Sequence, residues 1–524
     1  MVRLQSILLA ACAAFALASL GGPAEGRAPA PRVAQDLERI AEGLDSPKPR
    51  ERHAAIDALA AVGSLEAWAL VAERGLTDPN SRVADSAQLA LAGATLTPDL
   101  LELLGGRAGL GSKRPLCRVR VLQALADAPG GLPIRTLERG WKDKEAAVRV
   151  AAARATERRA SLGERGLEGG FEGSDADWKR FLKAVERAAR RDREPSVRAA
   201  ALIALAALGE QLGRGAEAAA EAIEEARGGD EPLVVAAALD LAPGAASSEE
   251  LEAMLWDRKA THGVRVAAVR ALEARGDRAA ARLLVRRLED VDAPLRPAAA
   301  WGVVRALQRL SGLSIGLSAE RWNRWAADLP EGPVVAVERR EAEDDGPRTT
   351  TLFGLTIRGD RVAFLVDMSG SMWVDHKGAP RKEAVDVELT RCLRGLPPSA
   401  RFDVVPYAEH PDPWRGELVD ASPKNVDRAV KTFLTCSMKG VGDLWGALEL
   451  VLADPEVDTV VVLTDGAPSG GDRWNVELMG QLLGDELRLR HVDLQMVLFG
   501  PTKGLKRRWK AVVEGLGGSV VLID

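Results

Sequence analysis

Apolar residues along this chain follow two periods. From residue 36 to 330, helix-length runs rich in Ala and Leu recur, each opening on an Asp with a Pro or polar residue soon after, then an Arg or Val, and closing on Gly. Asp45-Ser46-Pro47 leads to Gly63, Asp78-Pro79 to Gly93, Asp192 with Pro195 and Val197-Arg198 to Gly209, Asp230 with Pro232 to Gly244, and Val264-Arg265 to Gly276. An Asp ahead of the first turn accepts free amide N–H groups, Pro fits that turn, and Gly takes the left-handed conformation that ends a helix. Equivalent positions fall at Glu51, Arg82, Val119, Val148, Val197, Val234, Val264 and Leu295, so the spacings are 31, 37, 29, 49, 37, 30 and 31 residues. Each unit therefore holds two helices. Ala199 to Leu208 is apolar all round, which demands burial between neighbouring units. The extra residues of the longest interval, Leu162 to Trp178, are rich in Gly and acidic residues and predict an exposed loop.

From Arg361 the pattern changes. Short apolar runs at Val362 to Val366, Phe402 to Tyr407, Val457 to Leu463, Val492 to Phe499 and Ser519 to Ile523 alternate with amphipathic stretches such as Arg381 to Leu396, Asp443 to Leu452 and Leu505 to Leu516. These are buried parallel strands and crossover helices, giving an open, doubly wound, Rossmann-like α/β sheet. The whole is multidomain: an all-α solenoid over 36–330, a solvated linker over 331–360 marked by Glu338 to Asp345, and an α/β domain over 361–524. The first region resembles HEAT-like α-solenoid repeats. Trp322 and Trp325, three apart near its end, are expected to form docking core between solenoid and α/β domain.

Composition narrows the function classes. With 71 basic and 76 acidic residues the net charge is −5, and no basic stripe is present, which argues against a nucleic-acid partner. Met1-Val2-Arg3 ahead of the apolar run Ile7 to Leu20 has the order of a secretory signal and is too short to span a bilayer. Residues 1–26 are therefore read as a signal peptide, with cleavage near Ala24 or Gly26, no transmembrane segment in the mature chain, and a periplasmic, envelope or extracellular location. Leu9-Ala10-Ala11-Cys12 also resembles a lipobox that would lipidate Cys12, but the apolar stretch continues past the point where a lipobox ends. Cys392 and Cys436 are candidates for a disulfide in an oxidising compartment.

Chemistry gathers at two predicted strand ends. Asp367-Met368-Ser369-Gly370-Ser371-Met372 follows the first strand, and Thr464-Asp465-Gly466-Ala467-Pro468 follows the Val457 strand. Ligands of such sheets bind at the carboxyl ends of strands. A carboxylate and two hydroxyls at alternating positions, with Gly370 allowing a tight turn, can place hard oxygens around one small cation such as Mg²⁺. The five histidines at 53, 262, 376, 410 and 491 are too scattered for a zinc cluster. Ser369 lies outside a Gly-x-Ser-x-Gly loop and has no sequence-placed His to activate it, so an enzyme is not expected.

Through this Asp-x-Ser-x-Ser, residues 361–524 resemble a von Willebrand factor type A domain. The resemblance implies a metal-ion-dependent adhesion site: Ser369 and Ser371 binding Mg²⁺ or Mn²⁺ directly, Asp367 and Asp465 binding directly or through water, and an Asp or Glu from a partner protein completing the sphere. The family also supplies a threonine where this chain has Gly442, within Gly440-Val441-Gly442-Asp443-Leu444. Asp443, Ser437, Thr435 or a water is left to fill that place. The expected task is cation-assisted protein binding by an exported chain, with the solenoid orienting the domain or gripping a second partner and Trp373 either on the rim or packed on the first helix. The alternatives are a metal-independent scaffold and, further off, a hydrolase.

Overall fold

The computed structural model describes residues 37–164, 170–292, 294–336, 349–376 and 378–523. The signal reading over 1–26, Cys12 and the acidic cluster at 341–345 all lie outside those residues.

Helices over residues 49–327 come in successive pairs. They are α1 (Pro49–Val62) with α2 (Leu65–Leu70), α3 (Ser81–Ala92) with α4 (Pro98–Gly105), α5 (Pro115–Asp127) with α6 (Ile134–Trp141), and α7 (Ala146–Glu164) with α8 (Asp175–Arg191). The array continues with α9 (Pro195–Leu212) and α10 (Ala216–Arg227), α11 (Pro232–Leu241) and α12 (Ser248–Trp256), α13 (His262–Arg275) and α14 (Arg278–Glu289), and α15 (Pro297–Ser311) and α16 (Ala319–Ala327). Odd-numbered helices stack on one another from α1 to α15, with the even-numbered ones forming a second layer. This is the HEAT-like solenoid that the repeat spacing predicts. Pro opens α1, α5, α9, α11 and α15, and left-handed Gly63, Gly213, Gly276 and Gly312 close α1, α9, α13 and α15. Gly209 is a correction: it lies inside α9, which runs on to Gly213.

The recurrent Asp and Arg have a role beyond capping. Arg52 grips Asp78 with two hydrogen bonds (2.7 and 2.9 Å), as Arg118 grips Asp143 and Arg149 grips Asp192 at the same distances. Each Arg sits in the first turn of its odd helix, and each Asp lies in the loop leading to the next. The Asp also accepts an amide two residues on, at Asn80, Glu145 and Glu194. One carboxylate thus starts the next odd helix and bolts it to the previous one, in the bidentate geometry that favours Arg over Lys.

Two further expectations are corrected. Residues 172–176 of the predicted loop are exposed as expected, but Phe171–Glu172 pairs with Leu132–Pro133, and Phe171, Trp178 and Phe181 lie 5.4–6.1 Å apart, so aromatic packing structures its C-terminal end. Trp322 is fully buried in the solenoid's own last core, edge-to-face with Trp325 at 5.5 Å and donating from Nε1 to Gly316 O at 2.8 Å. The pair seals the end of the array rather than docking the next domain.

The C-terminal domain is a six-stranded sheet in the order β6-β5-β4-β1-β2-β3, from β1 (Arg361–Asp367), β2 (Arg401–Tyr407), β3 (Val419–Asp420), β4 (Thr459–Thr464), β5 (Asp493–Phe499) and β6 (Ser519–Ile523). Every pairing is parallel except β2 with the edge strand β3. Val362, Phe364 and Val366 point to α17 (Arg381–Arg394) and α18 (Pro423–Leu434) on one face. Ala363 and Leu365 point to α19 (Leu444–Leu452), α20 (Val476–Arg490) and α21 (Lys503–Gly515) on the other. A hairpin, Thr350–Leu352 with Leu355–Ile357, falls in the stretch read as linker and adds Leu352, Leu355 and Ile357 to the first core.

The odd-helix layer faces this domain. Leu489 of α20 is buried among Ala199, Ile203, Val234 and Ala237. Around it Arg154 pairs with Asp485 (3.3 Å), Glu157 with Arg488 (2.8 Å) and Asp240 with His491 (3.1 Å), and Arg358 lies over the Trp301 ring at 4.1 Å. The all-round apolar character of α9 is thus satisfied on a third side by the neighbouring domain.

Candidate functional site

Parallel strands β1 and β4 lie side by side, so their carboxyl ends, Asp367 and Thr464, meet at one edge. Asp367 Oδ1 accepts the Ser369 amide at 2.8 Å and Oδ2 accepts the Thr464 hydroxyl at 2.7 Å. Ser369 Oγ is 3.2 Å from Ser371 Oγ. Asp465 Oδ1 accepts the Ala467 amide at 3.0 Å. Asp367, Ser369 and Asp465 are 2%, 3% and 8% exposed, while Ser371 is half-buried and opens the cluster to solvent. The four residues singled out from sequence are therefore brought together by the two loops.

Burial pushes the Asp367 carboxyl above its ordinary value; hydrogen bonds from Ser369 and Thr464 pull it back, and the Asp465 charge pushes it up again. Among the strongest influences on it the one other charge is that of Asp465. The nearby Arg381 donates instead to Ser371 O at 3.0 Å. Two buried acids and two hydroxyls make an oxygen-only donor set, which suits a small hard divalent ion. Among the described residues no three His, Cys, Asp or Glu converge as a metal cluster, at this edge or elsewhere.

Gly442 lines this cluster. A Cβ there would lie 3.5 Å from Ser369 Cβ and 3.6 Å from Asp367 Oδ1, in ordinary contact and without a left-handed backbone. The loop is held by Ser469, whose Oγ accepts the Gly442 amide at 2.8 Å, and by the Gly370 amide donating to Gly440 O at 3.0 Å. Two of the substitutes left open by the sequence are engaged elsewhere, and Ser437 is exposed. Asp443 caps α19 through Gly446 N at 2.8 Å, and Thr435 donates to Lys431 O and Thr432 O at 3.0 Å.

Glycines in the two loops differ in role. Gly466 has φ 81°, and a Cβ there would meet Leu498 at 3.0 Å and Trp509 at 3.1 Å, so no other residue fits. Gly370, read as the tight-turn residue, starts a short 3₁₀ turn without a left-handed φ, and a Cβ there would make ordinary contact with Gly440 O at 3.8 Å, so the turn itself does not require it.

Several residues were missed from sequence. Thr464 links the two carboxylate loops, Trp509 fixes Gly466 O through Nε1 at 2.8 Å, and Ser469 ties the Asp465 loop to Gly442. Tyr407, fully buried, pairs in register with Asp367 at the end of β2, and its phenol is pushed well above its ordinary value by burial and the Asp367 charge. A hydroxyl residue directly before Asp465 was the one legible signal among them. On the rim, half-buried Trp373 donates to Met368 O at 3.1 Å and has Lys382 and Lys439 ammoniums 5.7 and 5.1 Å from its ring. Cys392 and Cys436 are free thiols, and burial pushes Cys392 up to about 12.

Residues 360–501 match the family model described as von Willebrand factor type A domain. Inter-alpha-trypsin inhibitor heavy chain H1 of Sus scrofa is 32% identical over 129 residues, 22% of this chain and 14% of that protein. Heavy chain H4 of Homo sapiens is 30% identical over 136 residues, 23% and 14% of the two chains. The chain thus spans 14% of the length of these relatives. Among solved structures, a von Willebrand factor type A protein from Catenulispora acidiphila aligns at 18% identity and TM-score 0.27, covering 32% of this chain and 40% of that one. Kap121p bound to Ste12p aligns at 15% identity and TM-score 0.37, covering 55% and 34%.

Proposed function

We propose, from the premise that this chain carries a von Willebrand factor type A domain behind a HEAT-like solenoid, that it is an exported protein-binding module working through a divalent cation. The domain itself supports a protein-interaction or adhesion-type role. Asp367, Ser369, Ser371 and Asp465 are assigned to hold Mg²⁺ or Mn²⁺. Bound there, the ion supplies a positive centre that an Asp or Glu carboxylate of the partner protein completes.

The observation that carries this reading is the pairing of two buried carboxylates with two hydroxyls at one sheet edge. Two such carboxylates repel one another in a low-dielectric setting, and a divalent ion removes the repulsion. Arg381 and Lys439 near the rim favour an acidic partner surface. No catalytic role is assigned to Ser369, whose hydroxyl faces that of Ser371.

Calorimetry of the full chain with Mg²⁺ tests the assignment, with binding heat expected in the parent and none in Asp367→Ala. A parent chain without heat refutes it. A partner captured in Mg²⁺ and released by EDTA extends the result to protein binding, whereas capture indifferent to EDTA supports a second reading, metal-independent scaffolding, which the missing side chain at Gly442 favours. Export is checked by sequencing the mature N-terminus, expected after residue 24 or 26. Among the described residues, no helix is long and apolar enough to cross a membrane.

A further inference from the structure

The loop that bears Asp465 continues into the solenoid. Ser469 and Gly470 donate their amides to Gly442 O at 3.3 and 3.1 Å, and left-handed Gly471 (φ 70°) lies so close to Asp443 that any Cβ would sit 1.8 Å from its Oδ1. The next residues enter a pocket between α3 and α5. Asp472 O accepts from Arg120, Arg473 donates to Gln88 at 2.7 Å and Gln123 at 2.9 Å, and the Trp474 and Asn475 amides both donate to Asp85 Oδ2, at 2.6 and 2.7 Å. The other Asp85 oxygen takes Arg120. Asp85, Arg120 and Arg473 are 0%, 1% and 3% exposed. Trp474 is itself held, with the Arg82 guanidinium 4.8 Å over its ring and His53 edge-on at 6.0 Å.

From this juxtaposition we infer that the solenoid positions the cation site: Asp85, Arg120 and Arg473 fix the loop from Asp465 to Asn475, and through Ser469 they fix the Gly442 edge. The inference rests on the cation reading above. The loop has two anchors, Gly466 O on Trp509 in its own domain and the Asp85 network in the other. Without the second, two amides and two guanidinium groups would be buried without their acceptor, and the loop would have to move to rehydrate them. A displaced loop holds Asp465 less well, so cation ligands lose preorganisation. The Glu157–Arg488 pair joins the same two domains through α20 and does not touch the site loop.

The experiment compares Asp85→Asn with Glu157→Gln in the full chain, reading Mg²⁺ affinity by calorimetry and hydrogen exchange at the Gly442, Ser469 and Gly470 amides. Asp85→Asn is expected to weaken Mg²⁺ binding roughly ten-fold and to speed exchange at those amides, while Glu157→Gln matches the parent in both. Should Asp85→Asn fail to fold, Gln123→Met, which removes one Arg473 acceptor, is expected to shift both readings the same way by less. Parental affinity and exchange in Asp85→Asn, or an equal loss in Glu157→Gln, overturns the inference. If the parent takes up no Mg²⁺ the cation reading falls by itself, and exchange at the three amides, judged by the same comparison, decides the positioning role.

Discussion

Gly442→Thr tests the cation assignment from the direction of gain. The new Cβ would meet Ser369 Cβ at 3.5 Å and Asp367 Oδ1 at 3.6 Å, at van der Waals distance and without backbone strain. Its hydroxyl then replaces a water in the ion's shell. Releasing an ordered water is worth up to about 2 kcal/mol, and fixing the Thr rotamer costs roughly 0.5–1 kcal/mol. The net is about 1 kcal/mol, or roughly five-fold tighter Mg²⁺ binding. Gly442→Val supplies the same shape without the oxygen and is expected to gain nothing. Titration calorimetry of the three full chains gives the answer. Equal affinity in the Thr and Val variants refutes the placement of the ion beside Gly442, provided both unfold at or above the parental temperature.

Three other outcomes are expected. Asp367→Asn removes a buried charge whose folded-state pKa is raised, so in chelator the variant should melt no lower than the parent, while the parent's Mg²⁺-dependent rise in Tm disappears; a retained rise contradicts the assignment. His262, deeply buried against the Arg296 charge and in contact with His491 O at 3.2 Å, is held down to about 3. Because its folded pKa lies below the unfolded one of about 6.5, protonation favours unfolding and stability falls as pH drops through the window from about 6.5 toward 3. Asp360 and Asp485, each pushed up to about 6 by burial, act in the opposite sense between about 6 and 3.8, so the comparison must be made within one background. His262→Gln should flatten the loss between pH 7.5 and 5.5 by about 1 kcal/mol in urea unfolding, and an unchanged slope refutes the argument. Arg149→Lys replaces a two-pronged grip on Asp192 with a single contact and should cost about 1–2 kcal/mol by thermal unfolding, more than Arg193→Lys, whose exposed contact is only with adjacent Glu194.

The repeat periodicity was legible because the same physical solution is written many times. Pro at the first turn and Gly after the last mark α1, α9 and α15 on their own sequence, and the strands β1 and β4 stand out as continuous apolar runs. Asp367, Ser369, Ser371 and Asp465 were legible because strand adjacency in a parallel sheet forces two loops to one edge. What escaped the reading are contacts between residues far apart in sequence. Nothing local tells that Asp85 meets the amides of Trp474 and Asn475, or that Leu489 inserts beside Ile203. Trp322 and Trp325 misled for the same reason: spacing places them on one face, and only the closing of the array decides what that face touches. The Arg of each unit was visible as a recurring letter, but its meaning depends on an Asp that belongs to the following unit.

The burial of Leu489 against α9 and α11 bears on how this molecule is divided for study. A fragment cut at residue 349 would carry Leu489 bare in water, Asp485 without Arg154, and a loop at 472–475 reaching for a carboxylate left behind on the other piece. The matching solenoid fragment would offer an oily strip able to pair with its own copies. Neither half is a smaller version of the whole, and ligand measurements on truncated material would describe an object the intact chain does not contain.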